Sequence, residues 1–166
     1  MNCIGVIGSD GQISRELAEA AEYVGAQIAE TGCVLICGGH GGVMEAACRG
    51  AKKKGGITVG ILPESGKEHA NKYVDIALPT GLGYARNALV GGTPDVVIAV
   101  GGVVGTLAEI GMALSYGKPV VVVEGLDGVG EKIPEEYRKK EATLRIHKAK
   151  KEDAVKKALS LINRKL

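Results

Sequence analysis

Residues 95–110 read DVVIAVGGVVGTLAEI, and they carry the clearest structural signal in the chain. Asp95 to Val100 is a short Val- and Ile-rich run, apolar at nearly every position, as a strand buried on both faces of a sheet is. Gly101 and Gly102 end it. From Gly105 onward the positions three and four apart share a helical face, which places Glu109 over Gly105 and Thr106. A buried strand that turns through glycines into a helix is one βα unit of a parallel sheet.

The same alternation runs through the chain. Strands are predicted at Asn2 to Ile7, Cys33 to Cys37, Ile57 to Ile61, Tyr73 to Ala77, Asp95 to Val100, Pro119 to Val123 and Thr143 to Ile146. Helices are predicted at Ser14 to Thr31, with Ser14 as N-cap, Gly42 to Lys54, Tyr84 to Val90, Gly105 to Tyr116 and Glu152 to Asn163. The expected fold is α/β: a three-layer α/β/α sandwich, Rossmann-like, with a mostly parallel sheet of about seven strands. Pro63 to Lys72 and Gly125 to Ile133 show neither pattern and follow strands directly, so they are candidate lids over a crevice at the strand ends.

With 166 residues, 45% of them hydrophobic and 24% charged, the chain fits one domain spanning 1–166. The net charge of +2 and the absence of Trp and Phe argue against a nucleic-acid surface built on basic stripes and stacking aromatics. Cys3, Cys33, Cys37 and Cys48 lie in apolar segments without C-x-x-C spacing, so they are expected as buried free thiols and no metal site is expected. No signal peptide pattern and no membrane-spanning run is seen, which makes a cytoplasmic location the expectation.

The chain's 26 glycines concentrate where strands pass into helices: Gly8 to Gly11, CGGHGG at Cys37 to Gly42, and GGVVG at Gly101 to Gly105. Such turns let backbone N–H groups approach an anion at a helix N-terminus, where the dipole also favours negative charge. Three on one sheet edge point to a phosphorylated ligand. The first turn is not G-x-G-x-x-G, no acid follows the second strand, and there is no Walker A sequence, so neither an NAD-type nor a P-loop site is expected.

Glu109 is the polar exception in a helix whose next residues, Ile110, Met112, Ala113 and Leu114, are apolar nearly all round, which predicts a mostly buried helix. A carboxylate beside an anion site needs a neutral or positive partner, either ribose hydroxyls or an Arg. Arg86 is the candidate, on a stripe shared with Leu82 and Leu89. A purely structural Arg86–Glu109 pair is the alternative. His40, His69 and Asp10 are lesser candidates for touching a ligand, and His147 carries no signal.

Together these residues resemble the Lonely Guy (LOG) superfamily, which includes cytokinin riboside 5′-monophosphate phosphoribohydrolases and molybdenum-cofactor carrier proteins and was formerly labelled lysine decarboxylase. The family motif P-G-G-x-G-T-x-x-E lies over Gly101 to Glu109, with the catalytic Arg at Arg86, 15 residues before Gly101. The glycine-rich second turn matches Gly38, Gly39, Gly42 and Met44, and the N-terminal Gly-Ser matches Gly8 and Ser9. The resemblance implies catalytic roles for Arg86 and Glu109. It implies ligand contacts at Gly8, Ser9, Gly38, Gly39, Gly42, Met44, Gly101, Gly102, Gly105 and Thr106.

Gly101 replaces the motif Pro, Val103 replaces a motif Gly, and Asn87 stands where the hydrolases carry Lys. These departures, with the short chain, look more like the carrier branch. The resemblance therefore implies either hydrolysis of a nucleoside 5′-monophosphate to base and ribose 5-phosphate, or carriage or sensing of a nucleotide or of molybdenum cofactor without reaction. No cofactor is required by either. A homodimer or homotetramer is implied, with no nucleic-acid or membrane partner. The decarboxylase label finds no pyridoxal-phosphate lysine context to support it.

Overall fold

A computed structural model describes residues 1–133 and 146–162. The strands are β1 (Cys3–Gly8), β2 (Val34–Cys37), β3 (Thr58–Leu62), β4 (Ile76–Pro79), β5 (Val96–Val100), β6 (Val120–Val123) and β7 (Ile146–Ala149). The helices are α1 (Arg15–Glu30), α2 (Gly42–Lys53), α3 (Asn87–Gly92), α4 (Val104–Ser115), α5 (Val129–Lys132) and α6 (Lys151–Ile162), with a 3-10 turn over Gly83–Arg86 ahead of α3. All seven strands form one parallel sheet in the order β4-β3-β2-β1-β5-β6-β7. The expected Rossmann-like sandwich is the fold.

Alternation along the strands explains why their sequences are apolar throughout. Val96, Ile98 and Val100 face a core shared with α1, α2 and α6, while Val97 and Ala99 face a second core shared with α3 and α4. The central strands are thus buried on both sides. Among the described residues no helix is long and apolar enough to cross a membrane.

The sheet order reverses between β1 and β5. Chains leaving their C-terminal ends go to opposite faces, β1 into α1 and β5 into α4, so a crevice opens between them. Open α/β sheets bind ligands at such a switch point.

Several expectations are corrected. The fourth strand begins at Ile76 rather than Tyr73, because Asn71 Oδ1 accepts from the Tyr73 N–H and Asp75 bonds Thr58 and Lys52, folding that segment into a turn. β4 is an edge strand with Ile76 and Leu78 half-exposed, and Pro79, which lacks an N–H, is tolerated there. The stretch Gly125 to Ile133 contains one helical turn, α5, too short to show a period. Of the predicted strand Thr143 to Ile146, only Ile146 lies within the described residues, where it opens β7. Asn163, the predicted end of the last helix, is outside them too.

Two burial expectations also fail. α4 is not buried all round: Val104, Leu107 and Met112 are 78%, 47% and 41% exposed, because only Thr106, Glu109, Ile110 and Ala113 turn to the sheet. Cys3 is only half-buried, whereas Cys33, Cys37 and Cys48 are buried as expected. The Cys37 and Cys48 sulfurs touch at 3.5 Å beneath the second glycine turn.

Candidate functional site

The crevice between β1 and β5 is lined by Gly8, Ser9, Asp10, Met44, Tyr84, Arg86, Asn87, Val103, Gly105, Thr106 and Glu109, and offers about 150 Å³. Eight of these are residues the sequence nominated: Gly8, Ser9, Met44, Arg86, Gly105, Thr106 and Glu109, with Asp10 as a lesser candidate. The turn that builds its floor depends on Gly102, whose φ of +102° is a conformation L side chains rarely adopt, and a Cβ there would fall on the Thr106 side chain. Gly101 packs against Leu17 and the Asp127 carbonyl and shapes the same turn from behind.

The three glycine turns are not equivalent. At α1 the hydroxyl of Ser14 accepts from the Leu17 N–H, as predicted for an N-cap. At α2 the Val43 N–H donates to the Ser9 carbonyl, and Asp10 Oδ1 accepts from the Gly41 and Gly11 N–H groups. At α4 the N-cap is Val103, which has no side-chain acceptor to offer, and Gly105 has open space beside it. An anion can therefore meet backbone amides and the positive end of a dipole at α4, whereas at each of the other two helix starts one first-turn amide, that of Leu17 or Val43, is taken by an oxygen of the protein itself.

Glycines of the second turn serve the architecture. Gly38 gives the Arg86 guanidinium its place, since a Cβ there would fall on Nη1. Gly39 packs on Gly60 and Leu62, and its carbonyl accepts from Asn71. Gly42, with φ +58°, lies against the Ser9–Asp10 backbone.

Arg86 and Glu109 are 9% and 6% exposed, and Arg86 Nη1 donates to Glu109 Oε1 at 3.4 Å. Arg86 does not share a stripe with Leu82 and Leu89, which are 51% and 40% exposed. The segment begins as a 3-10 turn and only then becomes α-helical, so helical spacing across it fails. Burial pushes the Glu109 carboxyl up from its ordinary 4.5 to about 7, with the Arg86 charge opposing but not overcoming it. One long contact to Arg86 does not replace the water that the carboxylate has lost.

This shift has a consequence for stability. Between pH 4.5 and 7 the folded protein keeps a proton on Glu109 that the unfolded chain releases, so stability falls as pH rises through that window. The whole shift corresponds to about 3 kcal/mol. Chemical denaturation of the wild type at pH 5 and pH 8 should show that loss. Glu109→Gln should flatten it, and a variant with the wild-type slope would refute the assignment.

The lesser candidates resolve differently. His40 lies between Asp10 and Glu64, with Nδ1 3.3 Å from Asp10 Oδ2 and Nε2 3.1 Å from Glu64 Oε2. His40 and Asn71 thereby tie the 63–72 segment to the second glycine turn. Asp10 lines the crevice but spends one oxygen on two backbone amides and the other on His40. His69 is exposed in that loop and does not line the crevice. Tyr84 was missed as a site residue, because nothing in the sequence separates a rim aromatic from a core one. Among the described residues no cluster of three or more His, Cys, Asp or Glu could hold a metal.

Residues 1–156 match the model of the SLOG cluster4 family. The chain is 48% identical over 129 residues to a protein of Archaeoglobus fulgidus, covering 74% of this chain and 84% of that one. It is 35% identical over 118 residues to the cytokinin riboside 5′-monophosphate phosphoribohydrolase of Mycobacterium tuberculosis, covering 66% of this chain and 63% of that enzyme. Among solved structures it is similar to the molybdenum cofactor binding protein of Rippkaea orientalis, with TM-score 0.86, 37% identity and 97% of each chain covered.

Proposed function

The chain belongs to the SLOG cluster4 family, within the LOG and molybdenum-cofactor-carrier superfamily, and from that premise we propose that its crevice binds a nucleoside 5′-monophosphate and hydrolyses its N-glycosidic bond. The observation that carries this reading is Glu109: a buried carboxyl with a pKa near 7, facing Arg86 in a crevice whose other wall is the uncapped start of α4. Perturbed carboxyls in clefts are candidates for chemistry, and a pKa near the working pH is what proton transfer needs.

In this proposal the phosphate rests on the amides at Val104 to Thr106 and the ribose lies at Glu109. The bond from C1′ to the base nitrogen breaks with its electron pair leaving on the base, and oxocarbenium character develops on the ribose. The ionised Glu109 stabilises that charge and accepts a proton from the water that adds to C1′, while the base takes a proton from solvent. Arg86 holds Glu109 in place and favours its ionised form, since a guanidinium is no proton donor at neutral pH.

Incubation with AMP and other nucleoside monophosphates, followed by chromatography for free base, tests the reading. The rate should rise with pH to a plateau above about 7. A second reading is favoured by Val103, which is 63% exposed where the motif has glycine, and by the end-to-end likeness to a molybdenum-cofactor-binding protein. It predicts no base release, with thermal stabilisation by a phosphorylated pterin or nucleotide.

A second copy of the chain is the proposed partner. The outward face of α4 presents Val104, Leu107 and Met112, with Leu89 and Tyr116 also exposed. Such a patch marks an interaction surface. Size-exclusion chromatography with light scattering should give a dimer or larger assembly, which Leu107→Asp shifts to monomer; a wild-type monomer would refute it.

A further inference from the structure

The crevice is small for the ligand it is proposed to take. Pockets for drug-sized molecules span about 300–1,000 Å³, whereas this one offers about 150 Å³, so part of a nucleotide-sized ligand must extend beyond it. The phosphate belongs at the α4 amides and the sugar at Glu109, so a ring must lie at the mouth.

Tyr84 stands there. It lines the same crevice as Arg86 and Glu109, yet it is 93% exposed. The 3-10 turn Gly83–Arg86 sends Arg86 to the floor and leaves Tyr84 on the rim. Its ring adds nothing to either core. The chain has no Trp, no Phe and only five Tyr, and among the described residues Tyr84 is the one aromatic residue lining the crevice. Val103, 63% exposed, and Met44 supply the apolar remainder of the lining.

We propose that Tyr84 is the stacking platform for the planar heterocycle of the ligand, so that the crevice distinguishes a ring-bearing phosphate from the bare sugar phosphate. This rests on the reading of the crevice as a phosphate site. A phenol ring offers a π-face to any flat base or pterin, and removing such a platform costs affinity without depending on hydrogen-bond pattern. The same device favours product release: once the glycosidic bond is cut, ribose 5-phosphate no longer holds the ring and loses the contact.

Calorimetric titration of wild type, Tyr84→Ala and Tyr84→Phe with AMP, a phosphorylated pterin and ribose 5-phosphate tests this. Tyr84→Ala should weaken binding of at least one ring-bearing ligand by about 5- to 150-fold and leave ribose 5-phosphate within twofold, while Tyr84→Phe stays near wild type. Equal weakening of all three ligands, or no weakening of any, would overturn the proposal. So would a change of oligomeric state in Tyr84→Ala on size exclusion, which would make the ring an interface contact. If wild type binds none of the three, the phosphate reading itself fails and the stacking proposal falls with it; ribose 5-phosphate binding alone overturns only the stacking.

Discussion

Glu109→Gln is expected to lower the rate of base release from AMP by roughly 10²–10⁴-fold, the range a positioned acid or base contributes, while changing AMP affinity only a few-fold. The amide keeps the shape and can still hydrogen-bond a ribose hydroxyl, but it neither carries the charge that stabilises the oxocarbenium nor accepts the water's proton. Arg86→Ala separates positioning from structure. Burial raises the Glu109 pKa and Arg86 lowers it, so removing Arg86 should move the midpoint of the pH–rate profile above about 7. A fall in rate with an unmoved midpoint would mean that Arg86 acts on the ligand and not on Glu109. If wild type releases no base from any nucleoside monophosphate, and ligands only raise the melting temperature, the carrier reading stands.

The largest stability effect is expected far from that pair, where α1 crosses α2. A Cβ on Gly25 would fall on the Ala47 carbonyl, and a Cβ on Gly50 would fall on the Glu22 carbonyl. The contacts are reciprocal and backbone to backbone, so no side chain can swing away to relieve them. Overpacking of this kind costs about 3 kcal/mol or more. Gly25→Val and Gly50→Val should each lower the melting temperature by roughly 6–12 °C for a domain of this size. Because α2 carries Met44 into the crevice, ligand affinity should fall with it. A melting temperature within 2 °C of wild type would show that the helices can separate without loss.

How much of this was legible in advance depends on range along the chain. The strands Cys33 to Cys37 and Asp95 to Val100 stand out because burial on both faces leaves no polar position to confuse the pattern. The β4 boundary was misplaced because, beside the local bond from Tyr73 to Asn71, Asp75 and Asn71 bond residues 17 and about 30 positions away, which no local window contains. The exposed face of α4 was invisible for a related reason: apolar residues on its outer side read the same whether a core or a partner would cover them.

For the site, the sequence by itself singled out Arg86 and Glu109 as a pair, through spacing that a family motif shares, and the glycines at three strand ends as places where backbone can approach an anion. Only the tertiary structure decided how the three turns differ. Ser14 and the Ser9 carbonyl each take one first-turn amide, of α1 and α2, and Asp10 takes the Gly41 amide before α2, whereas Val103 offers α4 no acceptor side chain. The pKa of Glu109 was likewise out of reach of the sequence, because it comes from the loss of water around a carboxyl that residues from four segments bury together. Desolvation belongs to the packed volume, and a sequence names the group without showing what encloses it.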